Sequence, residues 1–262
     1  MAQNRRPEKS AVDRIKARLY VAPDLAAGQT VGLDHGQAHY LRAVLRLQAG
    51  DEVALFNGRD GEWRARIEGL GKGWCSLQVA ERRRDQSDAA DIWLVFAPIK
   101  RTRIDLLAEK ATELGVAALW PVFTDYTAVS RVNAERLRAN ATEAAEQAGR
   151  LDVPEVMDPA PLGDAIARWP ADRRLVICDE QGGGRPIADV CTELRATGAA
   201  AGPVALLTGP EGGFSRSELD AIRVLPFVTA VDLGPRVLRS DTAAIAALAC
   251  WQAIVGDWRG AG

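Results

Sequence analysis

The sequence has little of what insertion into a membrane requires. None of its 262 residues lies in an apolar run of 18 or more, the length that a transmembrane helix needs. Residues 243–255 come nearest, but Gln252 interrupts them, so we expect a buried helix there. The first residues are basic and polar and contain no apolar core of a secretory signal. We expect residues 1–17 to form a disordered basic leader.

Metal-binding residues are also scarce. No two cysteines form a C-x-x-C pair, and two histidines four apart would need further ligands, so we expect no metal site. Both histidines lie near the N-terminus, which leaves no support for a Ser-His-Asp triad. Isolated cysteines are typical of reduced thiols and indicate a cytoplasmic protein. The histidines are His35 and His39, and the cysteines are Cys75, Cys178, Cys191 and Cys250.

The two commonest phosphate-binding loops are missing as well. Glycine-rich segments occur, but none has the G-x-G-x-x-G spacing, and no Lys-Ser or Lys-Thr follows as in a P-loop. These absences argue against a nucleotide-dependent phosphotransferase. That function is kept as the least favoured of three interpretations of the sequence.

Two turns rich in glycine and proline are the most informative segments present. Residues 207–215 (LTGPEGGFS) and 233–242 (LGPRVLRSDT) each follow an apolar run and precede a helix-like segment. Sharp turns after strands expose backbone groups, and ligands of open α/β sheets bind there. We therefore predict that both turns hold one ligand, with Gly212 at a close approach or at positive φ. Ser215 and Glu218 form a capping box that begins a helix.

The hydrophobic pattern predicts two domains. Short strands at 18–22, 30–33, 51–56, 62–68 and 74–80 indicate a small β-barrel. A helical insert at 37–47 puts Tyr40, Leu41, Val44 and Leu45 on one stripe. The polar segment 82–88 predicts a linker. Beyond it strands alternate with helices, which is typical of a mostly parallel sheet covered by helices; residues 182–184 (GGG) are interpreted as a simple crossover loop.

Several motifs resemble those of the SPOUT superfamily of S-adenosylmethionine-dependent RNA methyltransferases. The resemblance is greatest to the bacterial branch that methylates N3 of a uridine in small-subunit ribosomal RNA. TGPEGG and LGPRVLRSDTA match its two turns, and HYLRAVLR (39–46), KRTRIDLLAEKATELGV (100–116) and EQAGR (146–150) match further segments in order. Two departures are Asp241, where Glu is usual, and Tyr126, where many members have Arg.

The resemblance implies an α/β fold in two parts. A PUA-like RNA-binding barrel is expected at 18–85, followed at 86–262 by a SPOUT methyltransferase domain with a C-terminal trefoil knot, although periodicity alone predicts an unknotted sheet. It also implies S-adenosylmethionine as the cofactor, 16S ribosomal RNA in the small ribosomal subunit as the partner, and a homodimer, with no membrane and no metal involved. Trp251 and Trp258 offer apolar surface for that dimer, or else pack within one subunit. The expected cofactor-binding residues are Leu207, Thr208, Gly209, Pro210, Glu211, Gly212, Gly213, Leu233, Gly234, Val237, Leu238 and Ser240.

Charge is distributed unevenly along the chain. Residues 1–103 contain 18 Lys and Arg against 13 Asp and Glu, whereas the rest contains 15 against 22. A basic N-terminal part favours capture of a polyanion there. Arg42 and Arg46 are four apart and are expected on one helical face, with a merely solvated surface as the alternative. The expected RNA-binding residues are Arg42, Arg46, Arg82, Arg83, Arg84, Lys100 and Arg101.

Methylation at uracil N3 requires loss of the N3 proton and stabilisation of the charge that moves to the uracil oxygens. Arg236 and Arg239 are the candidates for that stabilisation, or alternatively they pair with Glu211 or Asp241. Glu146 and Asp241 are candidate bases, with helix capping as the alternative for Asp241. No cysteine lies in the matched motifs, which argues against a covalent adduct with uracil. A non-catalytic RNA-binding or ribosome-assembly protein is the alternative function.

Overall fold

The computed structural model describes residues 15–87, 90–198 and 202–259. Of the predicted leader, only residues 15–17 fall within these ranges, and they already belong to the first strand. The chain divides into two compact units. One comprises the residues up to 87 together with 149–152, and the other comprises the remainder.

The N-terminal unit is built on one five-stranded sheet. Its strands lie in the order β1-β3-β4-β5-β2, with β1 parallel to β3 and the other pairs antiparallel. Alternate residues of β5, namely Cys75, Leu77 and Val79, are buried, because successive side chains of a strand point to opposite faces. The strands are β1 (Ile15–Tyr20), β2 (Thr30–Leu33), β3 (Glu52–Phe56), β4 (Glu62–Gly71) and β5 (Trp74–Arg84).

The helical insert of this unit begins and ends earlier than the predicted range 37–47. α1 (His35–His39) is capped by Asp34, whose carboxylate accepts a hydrogen bond from the Gln37 N–H at 2.8 Å. One π-helical turn (Tyr40–Val44) follows. Leu41 is fully buried, but Val44 is 61% exposed. The predicted stripe of four apolar residues is therefore wrong at Val44, because the wider π turn rotates it away from the core.

The predicted common helical face of Arg42 and Arg46 is also wrong. The helix ends at Val44, and Arg46 has a φ of 56°. A residue in the left-handed region cannot continue a right-handed helix. The two arginines are therefore placed by different local structures.

The second unit contains a parallel sheet, which confirms the predicted mixed α/β class. Its strand order is β11-β13-β10-β12-β6-β7-β8, with β9 paired to β7, and every pair is parallel. The strands are β6 (Ile92–Phe96), β7 (Ala118–Phe123), β8 (Glu155–Val156), β9 (Ala160–Pro161), β10 (Arg174–Cys178), β11 (Arg185–Pro186), β12 (Val204–Thr208) and β13 (Val228–Asp232).

Helices cover both faces of this sheet. In β12, Val204 and Leu206 belong to one apolar core and Ala205 and Leu207 to the other. Burial on both faces explains why the strand reads as an uninterrupted apolar run. The first core includes residues of α2, α3, α5 and α7, and the second includes residues of α4 and α6. The helices are α2 (Arg101–Glu113), α3 (Ala134–Ala148), α4 (Leu162–Ala167), α5 (Ile187–Ala196), α6 (Arg216–Arg223) and α7 (Ser240–Ile254).

The last helix has the buried character expected for residues 243–255. Trp251 is only 3% exposed and packs in the first core, whereas Trp258, beyond the helix, is 57% exposed. Trp251 therefore packs within one subunit. Among the described residues no helix is long and apolar enough to cross a membrane, and no group of three or more His, Cys, Asp or Glu residues is placed to hold a metal ion.

Candidate functional site

A cavity of about 470 Å³ lies at the carboxyl ends of β10, β12 and β13. These strands are neighbours in the sheet, with β10 between the other two. The last residue of each strand and the residues after it line the cavity, in segments 178–182, 208–213 and 232–240, together with Ala243. The volume is in the range of small-molecule sites. The structure thus brings the two predicted turns together and adds a third segment.

The first turn begins with a residue that lines the cavity and carries a buried hydroxyl. Thr208 is 1% exposed, and its Oγ1 has no hydrogen-bond partner among the described residues. Gly209, Pro210, Glu211 and Gly213 also line the cavity. An unpaired buried hydroxyl is costly, which makes this position suited to a polar atom of a ligand.

Two residues predicted for this turn are not in the cavity lining. Leu207 is fully buried in the core beneath the sheet. A Cβ added to Gly212 would lie 3.2 Å from Cβ of Tyr126, so its close approach is to another loop. The positive φ expected at Gly212 occurs instead at Gly213, where φ is 72°. A capping box between Ser215 and Glu218 begins α6 as predicted.

The second turn is joined to the first by a side chain. The Ser240 hydroxyl donates to the Gly209 carbonyl oxygen at 2.5 Å. Gly234 has a φ of 99° and donates its N–H to the Asp232 carboxylate at 2.8 Å. The predicted residues Leu233, Gly234, Val237, Leu238 and Ser240 all line the cavity, as do Arg236 and Arg239.

Both arginines of the second turn are exposed. Within the described part of the chain, neither Arg236 nor Arg239 makes an ion pair or a hydrogen bond through its side chain. Asp241, one of their expected alternative partners, instead lies 3.3 Å from Arg103 of α2. The alternative in which these arginines hold the turns together is therefore not what the structure shows.

The two candidate bases lie outside the cavity lining. Glu146 is on α3 and half-buried. Asp241 accepts the Thr242 N–H at 3.0 Å and pairs with Arg103, while Arg239 occupies the position that caps α7. The sequence analysis did not predict the ion pair of Arg103 with Asp241. The only sequence signal was the basic segment KRTR (100–103) at the start of a helix.

The third lining segment was not predicted. Glu180 accepts the Phe214 N–H at 2.7 Å, and the Gln181 side-chain amide donates to the Phe214 carbonyl at 3.0 Å. Residues 182–184, interpreted as a simple crossover, thus begin at the cavity wall. No local signal marked the segment, because only the strand order places the end of β10 between the two turns.

This segment brings a cysteine to the cavity. Cys178 is 7% exposed and lines the cavity at the end of β10. Burial raises the pKa of its thiol to about 12, and the negative charge of Glu180 acts in the same direction. The thiol is therefore protonated at neutral pH and is not a nucleophile.

Comparisons with known proteins show the family to which this chain belongs. A family profile described as an RNA methyltransferase domain matches residues 86–252, and one described as an RNA methyltransferase PUA domain matches residues 33–79. A ribosomal RNA small subunit methyltransferase E from Rickettsia conorii is 31% identical over 234 residues, covering 88% of this chain and 93% of the relative. The chain belongs to the ribosomal RNA small subunit methyltransferase E family. A Synechocystis member is 32% identical, covering 92% of this chain and 79% of that relative.

Solved structures support membership of the family. A ribosomal RNA small subunit methyltransferase E from Neisseria gonorrhoeae, crystallised bound to S-adenosylmethionine, has a TM-score of 0.81 and 28% identity. The match covers 92% of this chain and 99% of that one. A Legionella pneumophila protein in complex with the bound cofactor S-adenosylmethionine has a TM-score of 0.80 and 29% identity, covering 91% and 97% of the two chains.

The arginines expected to bind RNA have different surroundings in this family member. Arg42 and Arg46 are exposed and make no side-chain ion pair or hydrogen bond within the described residues. Arg82 is exposed, lies over the Trp63 ring at 5.8 Å and pairs with Asp85. Lys100 is exposed at the start of α2, and the side chain of Arg101 lies outside the described part.

A buried carboxylate, Glu62, pairs with Arg83 and Arg84, two other arginines that were expected to bind RNA. Glu62 is 2% exposed. It accepts hydrogen bonds from Arg83 at 2.6 Å and from Arg18 at 2.7 Å, and Arg84 lies 3.8 Å away. Removing one partner from a buried ion pair of this kind is strongly destabilising. Arg83 is half-buried, so its contacts are those of a residue that holds the N-terminal unit together.

Proposed function

We propose that this chain is an S-adenosylmethionine-dependent methyltransferase that methylates N3 of a uridine in 16S ribosomal RNA. The observation that carries the proposal is the cavity at three strand ends, whose lining includes Thr208, with its buried hydroxyl unpaired among the described residues, and two arginines whose side chains are also unpaired there. Membership of the family and its two solved relatives with bound S-adenosylmethionine support the choice of ligand.

The residues present fit this cofactor. Thr208 Oγ1 lacks a partner among the described residues, and leaving it so costs about 1–3 kcal/mol. Turns held at positive φ by Gly213 and Gly234 expose backbone groups. The cofactor set then comprises the predicted residues other than Leu207 and Gly212, extended by the segment 178–182. When bound, S-adenosylmethionine supplies an electrophilic methyl group on a sulfonium.

Arg236 and Arg239 are proposed to stabilise the reacting uracil. Removal of the N3 proton leaves negative charge on the uracil oxygens, and cations fixed nearby lower the free energy of that state. Because neither guanidinium is engaged within the described residues, no ion pair must be broken first. The turn also restricts the position of the uracil, which favours in-line approach.

The carboxylates that line the cavity are not the two expected bases. Glu146 and Asp241 do not line the cavity, whereas Asp179, Glu180, Glu211 and Asp232 do. Of these four, Asp179, Glu180 and Asp232 already accept hydrogen bonds from the protein. Glu211 is the one that makes no side-chain hydrogen bond or ion pair within the described residues.

The proposal is tested by two measurements. Calorimetric titration should show binding of S-adenosylmethionine and none of ATP; binding of ATP alone would support the phosphotransferase. Mass spectrometry of ribosomal RNA should show loss of 3-methyluridine when the gene is deleted and its return on complementation. Cofactor binding without any change in 3-methyluridine would support instead a non-catalytic ribosome-assembly protein or another target base.

Cys178→Ala is expected to retain methyl transfer. A protonated, buried thiol contributes packing rather than nucleophilic catalysis, so kcat should stay within about threefold of the wild-type value. Steady-state kinetics with purified 16S ribosomal RNA measures this. A covalent protein–RNA adduct trapped by 5-fluorouridine in the RNA would contradict it.

The N-terminal unit is proposed to capture RNA as a PUA-like barrel over residues 18–85. Arg42 and Arg46 are exposed and unpaired within the described residues. Replacing both with alanine should weaken RNA binding and reduce the slope of log K against log salt by about 1.4–1.8. Fluorescence anisotropy across a salt series measures the slope, and calorimetry should find cofactor affinity unchanged. An unaltered slope would show that neither Arg42 nor Arg46 contacts RNA phosphates.

The remaining architecture is also proposed from the resemblance. We propose that residues 86–262 form a SPOUT domain with a C-terminal trefoil knot and that two chains assemble as a homodimer. Most small oligomers are symmetric dimers, and the exposed Trp258 is a candidate contact. Light scattering should give twice the mass of one chain. A monomer that still methylates RNA would contradict the dimer.

A further inference from the structure

One ion pair joins a residue of the cavity lining, Asp179, to a residue outside the lining, Arg223. Arg223, the last residue of α6, donates through Nε to Asp179 Oδ2 at 2.8 Å, and its Nη2 contacts the same oxygen. The Asp179 side chain has no exposed surface, and 28% of the Arg223 side chain is exposed. Asp179 directly follows β10 and is the second residue of the third lining segment, 178–182.

The ion pair of Asp179 and Arg223 contacts the backbone of the loop that follows Asp179. The other Asp179 oxygen, Oδ1, accepts the Gln181 N–H at 2.9 Å. At Gly183, an added Cβ would lie 2.5 Å from Arg223 Nη2 and 2.7 Å from Asp179 Oδ2. The loop therefore passes directly against the ion pair, and a side chain larger than hydrogen at Gly183 would displace it.

The same segment is held at its other side by the first turn. Glu180 and Gln181 bind the N–H and the carbonyl of Phe214, respectively. Phe214 lies next to Ser215, which caps α6, and Arg223 ends that helix. Both ends of α6 thus contact the third segment, one through Phe214 and the other through Arg223.

We infer that Arg223 is a positioning residue of the cofactor pocket, which acts through Asp179 to place the wall formed by segment 178–182. The inference rests on the proposed binding of S-adenosylmethionine in this cavity. Without Arg223, Asp179 would be a buried carboxylate lacking its cation, which is strongly unfavourable. Movement of Asp179 toward solvent would shift Glu180, the neighbouring wall residue.

Arg223→Met tests this inference, with Arg185→Met as the matched control. Arg185 pairs with Glu193 where both side chains are exposed, and it does not line the cavity. Calorimetry on Arg223→Met should show S-adenosylmethionine binding weakened about tenfold or more, with KM for the cofactor raised. Values of kcat at saturating cofactor and of KM for RNA should stay within about twofold, which global destabilisation would not produce. Arg223→Lys should recover part of the affinity.

A second variant keeps the test decisive if Arg223→Met does not fold. Asp179→Asn combined with Arg223→Gln removes both charges yet allows a side-chain hydrogen bond. It should fold, as judged by circular dichroism, and bind the cofactor more weakly than wild type. Affinity equal to the Arg185→Met control in the folded variants would overturn the inference. Absence of cofactor binding in the wild type would instead contradict the proposed function.

Discussion

Gly213→Val is expected to reduce S-adenosylmethionine affinity by roughly two orders of magnitude. Gly213 has a φ of 72°, where a side chain costs roughly 1–2 kcal/mol. Its Cβ would also overlap Glu180 Oε1, the oxygen that accepts the Phe214 N–H at 2.7 Å. Loss of such a charged hydrogen bond costs about 1.5–3 kcal/mol. Backbone strain at residue 213 and displacement of the Glu180 carboxylate would therefore both disturb the contact between the first turn and segment 178–182.

Gly212→Val is the matched control for this prediction. It adds the same side chain one residue earlier, where φ is not positive and the nearest atom is Cβ of Tyr126 at 3.2 Å. We expect a smaller loss of affinity, because Gly212 does not line the cavity. Calorimetry measures both variants, with thermal unfolding to confirm that each is folded. Equal losses in the two would show that the turn as a whole, rather than the geometry of Gly213, is required.

Arg239→Ala is expected to lower kcat by about 10²–10³ with a much smaller change in RNA affinity. Arg239 lines the cavity, and its guanidinium has no partner in the described structure, so its proposed interaction is with charge that develops on the uracil during transfer. An interaction made mainly in the transition state affects kcat rather than binding. Single-turnover methyl transfer and anisotropy with the same RNA measure the two quantities.

The control for this prediction is Arg185→Ala, which removes an exposed arginine of the same unit outside the cavity. It should leave kcat unchanged. In cells lacking the gene, the Arg239 variant should fail to restore 3-methyluridine to wild-type levels. Full restoration would remove Arg239 from the chemistry, and a parallel loss of RNA affinity and kcat would make it a binding residue. Arg236→Ala tests its neighbour in the same way.

Local patterns were reliable where one interaction decides the structure. The Ser215 and Glu218 capping box, the buried β12 and the buried helix near the C-terminus all occur as predicted. Each depends on residues close in sequence. The prediction was wrong for the end of the helical insert, where a π turn and the positive φ of Arg46 intervene. Those features are set by packing on the N-terminal sheet and not by helical periodicity.

The amino-acid sequence by itself predicts the alternating α/β class and the two glycine turns. The motifs in those turns and in other segments also establish the resemblance to a family of RNA methyltransferases. Only the tertiary structure decides that β10 lies between β12 and β13. That placement adds Cys178 and Glu180 to the cavity. The packing of the helices leaves Glu146 outside the cavity lining and pairs Asp179 with Arg223 and Asp241 with Arg103. The physical reason is that strand order and long-range ion pairs are determined by the free energy of packing the whole sheet, to which residues distant in sequence contribute together.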